Sequence, residues 1–246
     1  MTKSTSGSII TLRYAEGILS ELLFCIFYRK AILNKYMKTK QTIYWDVDDV
    51  ALDTLPTMIE LINQKFNRPN GLPDKTLADA KDWNMKSIYR YLTRKDLESL
   101  FSSQDFWDNV KLKPGFTDLL SRPILRKYNN VFLTVGTPEN LKYKRDFLER
   151  ELGKKFKYFT YIGIESPKTK ASVKMPNDII IDDNIKNLIE TNAAIKILLK
   201  NNLDTLYNNA YGSFNDQLPD NLYVVNSLDE VEEILNFNLK RNLTTL

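Results

Sequence analysis

The stretch Ile43-Tyr44-Trp45-Asp46-Val47-Asp48-Asp49-Val50, with its counterpart Ile179-Ile180-Ile181-Asp182-Asp183-Asn184, decides how the rest of the chain is read. In each, a short apolar run ends in paired aspartates. Such a run predicts a strand buried on both faces, as in a parallel sheet, and ligands of open α/β sheets gather at the carboxyl ends of those strands. Both acidic clusters are therefore expected at one sheet edge. Like charges gathered there must share a proton or bind a cation, and a hard divalent ion such as Mg²⁺ suits oxygen ligands.

Working outward, further strands are expected at Val131–Val135, Phe159–Ile164, Asp178–Ile181, Ala194–Leu198 and Leu222–Val225, besides Thr42–Trp45. Helical patterns lie between most of them, which predicts an α/β fold with a doubly wound, Rossmann-like parallel sheet. Thr137 followed by Pro138 reads as an N-cap and first helical residue, and Gly153 as the stop of that helix. A last helix is expected from Ser227 through Leu228–Leu235. Residues 42–53 and 131–246 form the expected core. Residues 54–130 are too long for an ordinary crossover and read as a small helical cap inserted after the first strand, with helices at Leu55–Phe66, Lys86–Leu92 and Thr93–Ser102. The cap holds Trp83, Tyr89, Tyr91, Phe101, Phe106 and Trp107. Aromatics at helical spacing are usually core; Phe106 and Trp107, beside a hinge at Lys113-Pro114-Gly115, are the candidates to face a substrate ring.

Composition removes several chemistries. At 246 residues and 43% hydrophobic, the chain can bury a real core. It has no histidine, so Ser-His-Asp and Cys-His catalysis and His-ligated zinc are excluded, and proton transfer near neutral pH falls to carboxylates. The one cysteine, Cys25, excludes an internal disulfide and agrees with a reducing compartment, so the cytoplasm is the expected location. No GxxxxGK[ST] or GxGxxG stretch is present, which disfavours kinases and oxidoreductases.

The formal net charge of +4 belongs to the beginning of the chain. Residues 1–42 carry seven basic and two acidic side chains, and subtracting that +5 from +4 leaves −1 for the remainder. A long nucleic acid is thus a poorer partner than a small phosphorylated molecule. Residues 1–41 read as an N-terminal extension, amphipathic or dispensable, with Met37 as an alternative start. Glu21 interrupts its apolar run, so no transmembrane segment is expected. A homodimer is one assembly option.

The residues at the strand ends resemble the haloacid-dehalogenase-like phosphohydrolases. That family's Asp-x-Asp motif is matched by Asp46-Val47-Asp48, its strand-end hydroxyl by Thr134, its lysine by Lys170 with Lys168 and Lys174 as rivals, and its acidic pair by Asp182-Asp183. Within the family the chain is most similar to the 5'-nucleotidases of the 5'(3')-deoxyribonucleotidase type. The matches are Asp53 seven residues after the nucleophile, Phe106-Trp107 before Pro114-Gly115, and Lys144 opening a stretch that ends at Gly153. It departs from that branch at Asp49, where a Gly is usual, at Thr54, where a base-stacking aromatic is usual, and at Val135, where a Ser is usual.

The resemblance implies a Mg²⁺-dependent phosphatase in which Asp46 attacks phosphorus and Asp48 acts as acid and base. Asp46, the Asp48 carbonyl and Asp183 would hold the metal, with Asp182 in support or as an alternate ligand. Thr134, Lys170 and Lys144 would bind phosphate. The substrate expected first is a nucleoside or deoxynucleoside monophosphate; the alternatives are another small ester such as a sugar phosphate, or a non-catalytic binding protein of the same fold. Plain structural readings also stand: Asp53 as a helix cap, Thr134 as a strand residue, Lys144 and Lys170 as solvated charges.

Overall fold

The computed structural model describes residues 40–67, 69, 71–80, 85–200 and 218–244. The expectations for residues 1–39 and for Trp83 lie outside them. Gln41–Leu246 forms one compact unit. Among the described residues, no helix is long and apolar enough to cross a membrane.

Six strands, β1 (Thr42–Trp45), β2 (Asn129–Gly136), β3 (Phe159–Glu165), β4 (Ile179–Asp182), β5 (Ile195–Leu199) and β6 (Leu222–Val225), pair in the order β3-β2-β1-β4-β5-β6. Every pairing is parallel. The order reverses between β1 and β4, so their carboxyl ends open a crevice at the point where the two halves diverge. Tyr44 stands level with Val131 on one side and Ile180 on the other, which brings Asp46, Thr134 and Asp182 to the same edge. Alternation along the strands divides the core: Trp45, Phe132 and Ile181 face one layer of helices, and Tyr44, Leu133 and Ile180 the other. Covering both faces is why these strands read as unbroken apolar runs.

Between β1 and β2 lie α1 (Thr54–Lys65), α2 (Met85–Ile88), α3 (Arg94–Phe101), α4 (Gln104–Asn109) and α5 (Phe116–Ser121). The helix expected through Leu92 stops at Ile88. Thr93 caps α3 in a reciprocal pair with Asp96, and Ser103 caps α4. The two connections to this segment are clamped side by side. Asp53 N donates to Lys111 O at 2.9 Å, Lys113 N to Ala51 O at 2.8 Å, and Leu52 bridges Leu112. Beyond the clamp the chain returns to the sheet: Phe116 packs edge-on to Trp45 at 5.8 Å.

Three further helices complete the layers: α6 (Pro138–Leu152), α7 (Ile185–Glu190) and α8 (Leu228–Thr244). The Thr137 hydroxyl accepts from Asn140 N, Pro138 opens α6, and Gly153 ends it at a φ of 49°. The last helix runs well past the expected Leu235, and its Asp229 takes a 2.6 Å contact from Arg122.

Candidate active site

Asp46 follows β1 directly, and its N–H continues the ladder to Ile181 O at 2.9 Å. Its Oδ1 accepts from Val47 N and from Lys170 Nζ, both at 2.7 Å. Of the three rival lysines, Lys168 and Lys174 are exposed, whereas Lys170 is 2% exposed and turned inward. Lys170 also donates to Asp182 Oδ2 at 2.6 Å. Burial works against its charged form, but the Asp182 and Asp46 carboxylates outweigh that and hold its pKa above the usual lysine range.

Asp182 closes β4 and is fully buried. Besides Lys170 it accepts from Asn184 N at 2.9 Å and from Asn187 Nδ2 at 3.1 and 3.2 Å. A carboxylate so occupied is placed to orient Lys170 rather than to ligate an ion. Asn187 was not foreseen; it stands one helical turn beyond the acidic pair, and only the fold brings its amide back. Asp183 is buried beside Asp182, Asp49 and Asp46. Burial, then repulsion from those three, pushes its pKa well above the carboxylate range, while burial lifts Asp182 to about 6 against the pull of Lys170.

Ligand oxygens of Asp46, Asp182 and Asp183 lie within 4.8 Å of one another. Three buried carboxylates whose oxygens converge in this way are a donor set that fits Mg²⁺, a hard ion that binds oxygen and relieves the repulsion among them. Since Asp182 is engaged by Lys170 and Asn187, Asp46 and Asp183 are the side chains that would hold it.

A second lysine organises the other half of the site. Lys144, on α6 and wholly buried, donates to Asp48 Oδ2, to Thr134 Oγ1 at 2.8 Å and to Val135 O at 3.1 Å. Three acceptors use all three donors of an ammonium group. Lys144 is therefore neither a solvated helix charge nor an open phosphate ligand in this arrangement; it ties Asp48 to Thr134. Burial raises the pKa of Asp48, with Lys144 opposing. Its Oδ1 is buried and has no hydrogen-bond partner among the described residues. At Gly136 an added Cβ would lie 2.5 Å from Asn140 Oδ1, so a side chain there would have to displace the buried Asn140 amide.

Asp49, where a Gly is usual, adopts a φ of 51°. Aspartate tolerates this left-handed conformation better than most residues. Its carboxylate accepts from Leu55 N at 3.0 and 3.2 Å and its N–H donates to Thr54 Oγ1, so it caps α1 from the loop before it. Burial raises its pKa to about 7, against the attraction of Lys113.

The residues expected to face substrate are placed differently. Phe106 and Trp107 are 0% and 1% exposed and belong to the core. Trp107 stacks on Tyr143 at 6.1 Å and donates its Nε1 to Phe101 O at 3.0 Å. Neither ring offers a face to a ligand. Asp53 sits at the N-cap position of α1 without a capping bond, and pairs instead with Lys113 Nζ at 2.9 Å across the clamp. Two clefts flank Leu55. One, of about 360 Å³, holds Asp49, Asp53 and Lys113. The other, of about 510 Å³, is lined by Thr54, Met58, Leu97 and Phe101. Phe101 is the aromatic that periodicity alone did not separate from its neighbours.

No family model and no curated protein sequence matches the chain. Solved structures do. A predicted phosphatase from Clostridium acetobutylicum superposes with a TM-score of 0.57 at 16% identity, covering 80% of this chain and 99% of its own. A conserved haloacid dehalogenase-like protein of unknown function from Agrobacterium tumefaciens gives 0.52 at 13% identity, over 81% and 99%. A predicted phosphoglycolate phosphatase from Haemophilus somnus gives 0.50 at 15% identity, over 80% and 99%. At these identities the likeness is one of fold alone.

Proposed function

We propose that the chain is a Mg²⁺-dependent phosphatase that hydrolyses a small phosphate monoester through an aspartyl-phosphate on Asp46. The observation that carries this reading is the division of the carboxylates between two buried lysines: Lys170 joins Asp46 to Asp182 beside Asp183, and Lys144 joins Asp48 to Thr134. A nucleophile and an acid are thereby held apart on one strand end, each with its own cation.

In the first half-reaction an Asp46 oxygen bonds to phosphorus as the bond to the leaving oxygen breaks, and Asp48 gives that oxygen its proton. In the second, Asp48 takes a proton from water, whose oxygen bonds to phosphorus while the phosphorus–oxygen bond to the Asp46 carboxylate breaks, releasing phosphate. Burial shifts the Asp48 pKa upward against the pull of Lys144, the direction that favours a proton donor in the first step. Lys170 and the main-chain N–H groups after Thr134 take the charge on the phosphoryl oxygens. Bound Mg²⁺ adds positive charge against those oxygens. Residues 54 to about 110, between the clamped connections, are the cap in this reading, shorter than the 54–130 read from the sequence.

The leaving group is less defined. The nucleotidase reading rested partly on Phe106 and Trp107, which are core, and the structures named above lend it no support. One of them is described as a phosphoglycolate phosphatase, which favours another small ester, such as a sugar or organic-acid phosphate. Purified protein with and without Mg²⁺, and as Asp46→Asn, would be offered nucleoside monophosphates, sugar phosphates and 2-phosphoglycolate. Mg²⁺-dependent phosphate release lost in Asp46→Asn is expected; no release from any ester would refute the proposal.

A further inference from the structure

We infer that Asn140 selects the leaving group by accepting a hydrogen bond from a hydroxyl close to the ester oxygen, so that the substrate is a polyol phosphate, such as a sugar phosphate, and not an organic-acid phosphate; this rests on the phosphatase reading. Asn140 is the third residue of α6 and 2% exposed, and Lys144, four residues on, shares its face of the helix. Its Nδ2 donates to Phe101 O at 3.2 Å. A carbonyl oxygen only accepts, so this contact fixes which way the amide is turned: the nitrogen faces Phe101 and Oδ1 faces away. Oδ1 lies over Gly136, where an added Cβ would meet it at 2.5 Å, and it is buried with no hydrogen-bond partner among the described residues. Buried polar atoms are nearly always paired, so an acceptor fixed in this way calls for a donor brought by a ligand.

The place of that acceptor says which donor. Trp45 stands level with Phe132, so residues 46–48 leave β1 beside residues 133–136. Lys144 Nζ joins Asp48 to Thr134 Oγ1 at 2.8 Å and Val135 O at 3.1 Å, and Gly136, under Asn140 Oδ1, is the next residue outward. With Asp46 attacking, the leaving oxygen lies in line on the far side of phosphorus. The atoms attached to it therefore run outward from the strand ends, past Gly136 and toward Phe101. Asp48 Oδ1 is likewise buried and unpartnered, so the site offers two orphaned acceptors to one molecule. Asp48 serves the ester oxygen; Asn140 serves a group beside it. A carboxylate at that point, as in 2-phosphoglycolate, would set lone pairs against a lone pair. An ammonium would stand near the Lys144 cation, which is bonded one residue away at Val135 O. A hydroxyl donates without adding charge. The reader is also held in place beforehand, since Asn140 N donates to Thr137 Oγ1 at 3.3 Å while its side chain is tied to Phe101.

The test is binding, measured by calorimetry on the full chain as Asp46→Asn with Mg²⁺, using four two-carbon esters that differ only at the far end: 2-hydroxyethyl, ethyl and 2-aminoethyl phosphate, and 2-phosphoglycolate. We expect 2-hydroxyethyl phosphate to bind about tenfold tighter than ethyl phosphate, and tighter than the other two, and Asn140→Leu to bring the hydroxyethyl-to-ethyl ratio to about one. Asn140→Asp keeps an acceptor at that place and adds a charge, so it should keep the advantage of the hydroxyl over the ethyl ester and raise 2-aminoethyl phosphate about tenfold relative to both. That variant decides the matter if Asn140→Leu does not fold. Were Asn140 only a tie to Phe101, all four esters would weaken alike and their ratios would not move. Equal binding of the hydroxyethyl and ethyl esters, tighter binding of 2-phosphoglycolate, ratios unmoved by both variants, or binding of none of the four overturns the inference. A hydroxyl preference that follows Asn140, in a wild-type protein that releases phosphate from no ester, would instead refute the phosphatase reading and leave the role of Asn140 standing.

Discussion

Replacing Asp49 by Asn tests the electrostatics of the acidic cluster at a single atom. Asn accepts a φ of 51° and can still take the Leu55 N–H, so geometry is kept and only ionisation is removed. Burial lifts the Asp49 pKa from its ordinary 3.8 to about 7. Between those values the folded state keeps a proton that the unfolded state releases, so wild-type stability falls as pH rises from about 4 to about 7 and is level above. At 1.36 kcal/mol per pH unit the loss has a ceiling of about 4 kcal/mol by pH 8. Asn escapes it, and because the rise to about 7 already includes the opposing attraction of Lys113, a gain of up to about 4 kcal/mol is expected there. Urea denaturation in EDTA at pH 4 and pH 8 measures this: near-equal stabilities at pH 4, and the variant more stable at pH 8. A gain that does not grow with pH would refute the reasoning. Asp49→Ala, lacking both the cap and the tolerance for this φ, should be less stable than Asp49→Asn at both pH values, by about 1–2 kcal/mol.

Other outcomes follow from the same contacts. Lys144→Met leaves Asp48 buried without its cation and should cost about 3–5 kcal/mol in urea melts at pH 7, and activity with it. Mg²⁺ at a hundred times its Kd should stabilise the chain by about 2.7 kcal/mol; Asp183→Asn should remove most of that gain in thermal melts, while in Asn187→Ala a substantial part should remain. Trp107→Ala should cost about 3–5 kcal/mol as a core truncation, and Trp107→Phe should preserve the relative kcat/KM values across an ester panel, which a ligand-facing ring would not allow.

The strands and the main site could be read before the fold was seen because each rests on local chemistry. Apolar runs closed by aspartates mark buried parallel strands, and all six were placed within two residues of their observed ends. Thr137-Pro138 and Gly153 bound α6 as their backbone preferences require. What could not be read depends on contacts between distant residues. Lys170 is separated from Lys168 and Lys174 only by which ammonium the fold turns toward Asp46 and Asp182. Asn187, the Asp53–Lys113 pair and the Asp49 cap are side-chain choices among several partners, and periodicity does not specify them. Phe101, Phe106 and Trp107 share one aromatic cluster, so spacing could not tell the ring at the cleft from the two behind it. The short helices α4 and α5 have too few residues for a periodic signal.

The central claim is a covalent phosphoryl group on Asp46. The most direct measurement is rapid acid quenching of the full-length protein during turnover with Mg²⁺, followed by mass mapping of its peptides. The account predicts one phosphoryl group on the peptide carrying Asp46, absent in Asp46→Asn and diminished when Mg²⁺ is withheld. Turnover with no phosphorylated peptide at any quench time, or with the phosphoryl group on a peptide that lacks Asp46, would contradict it.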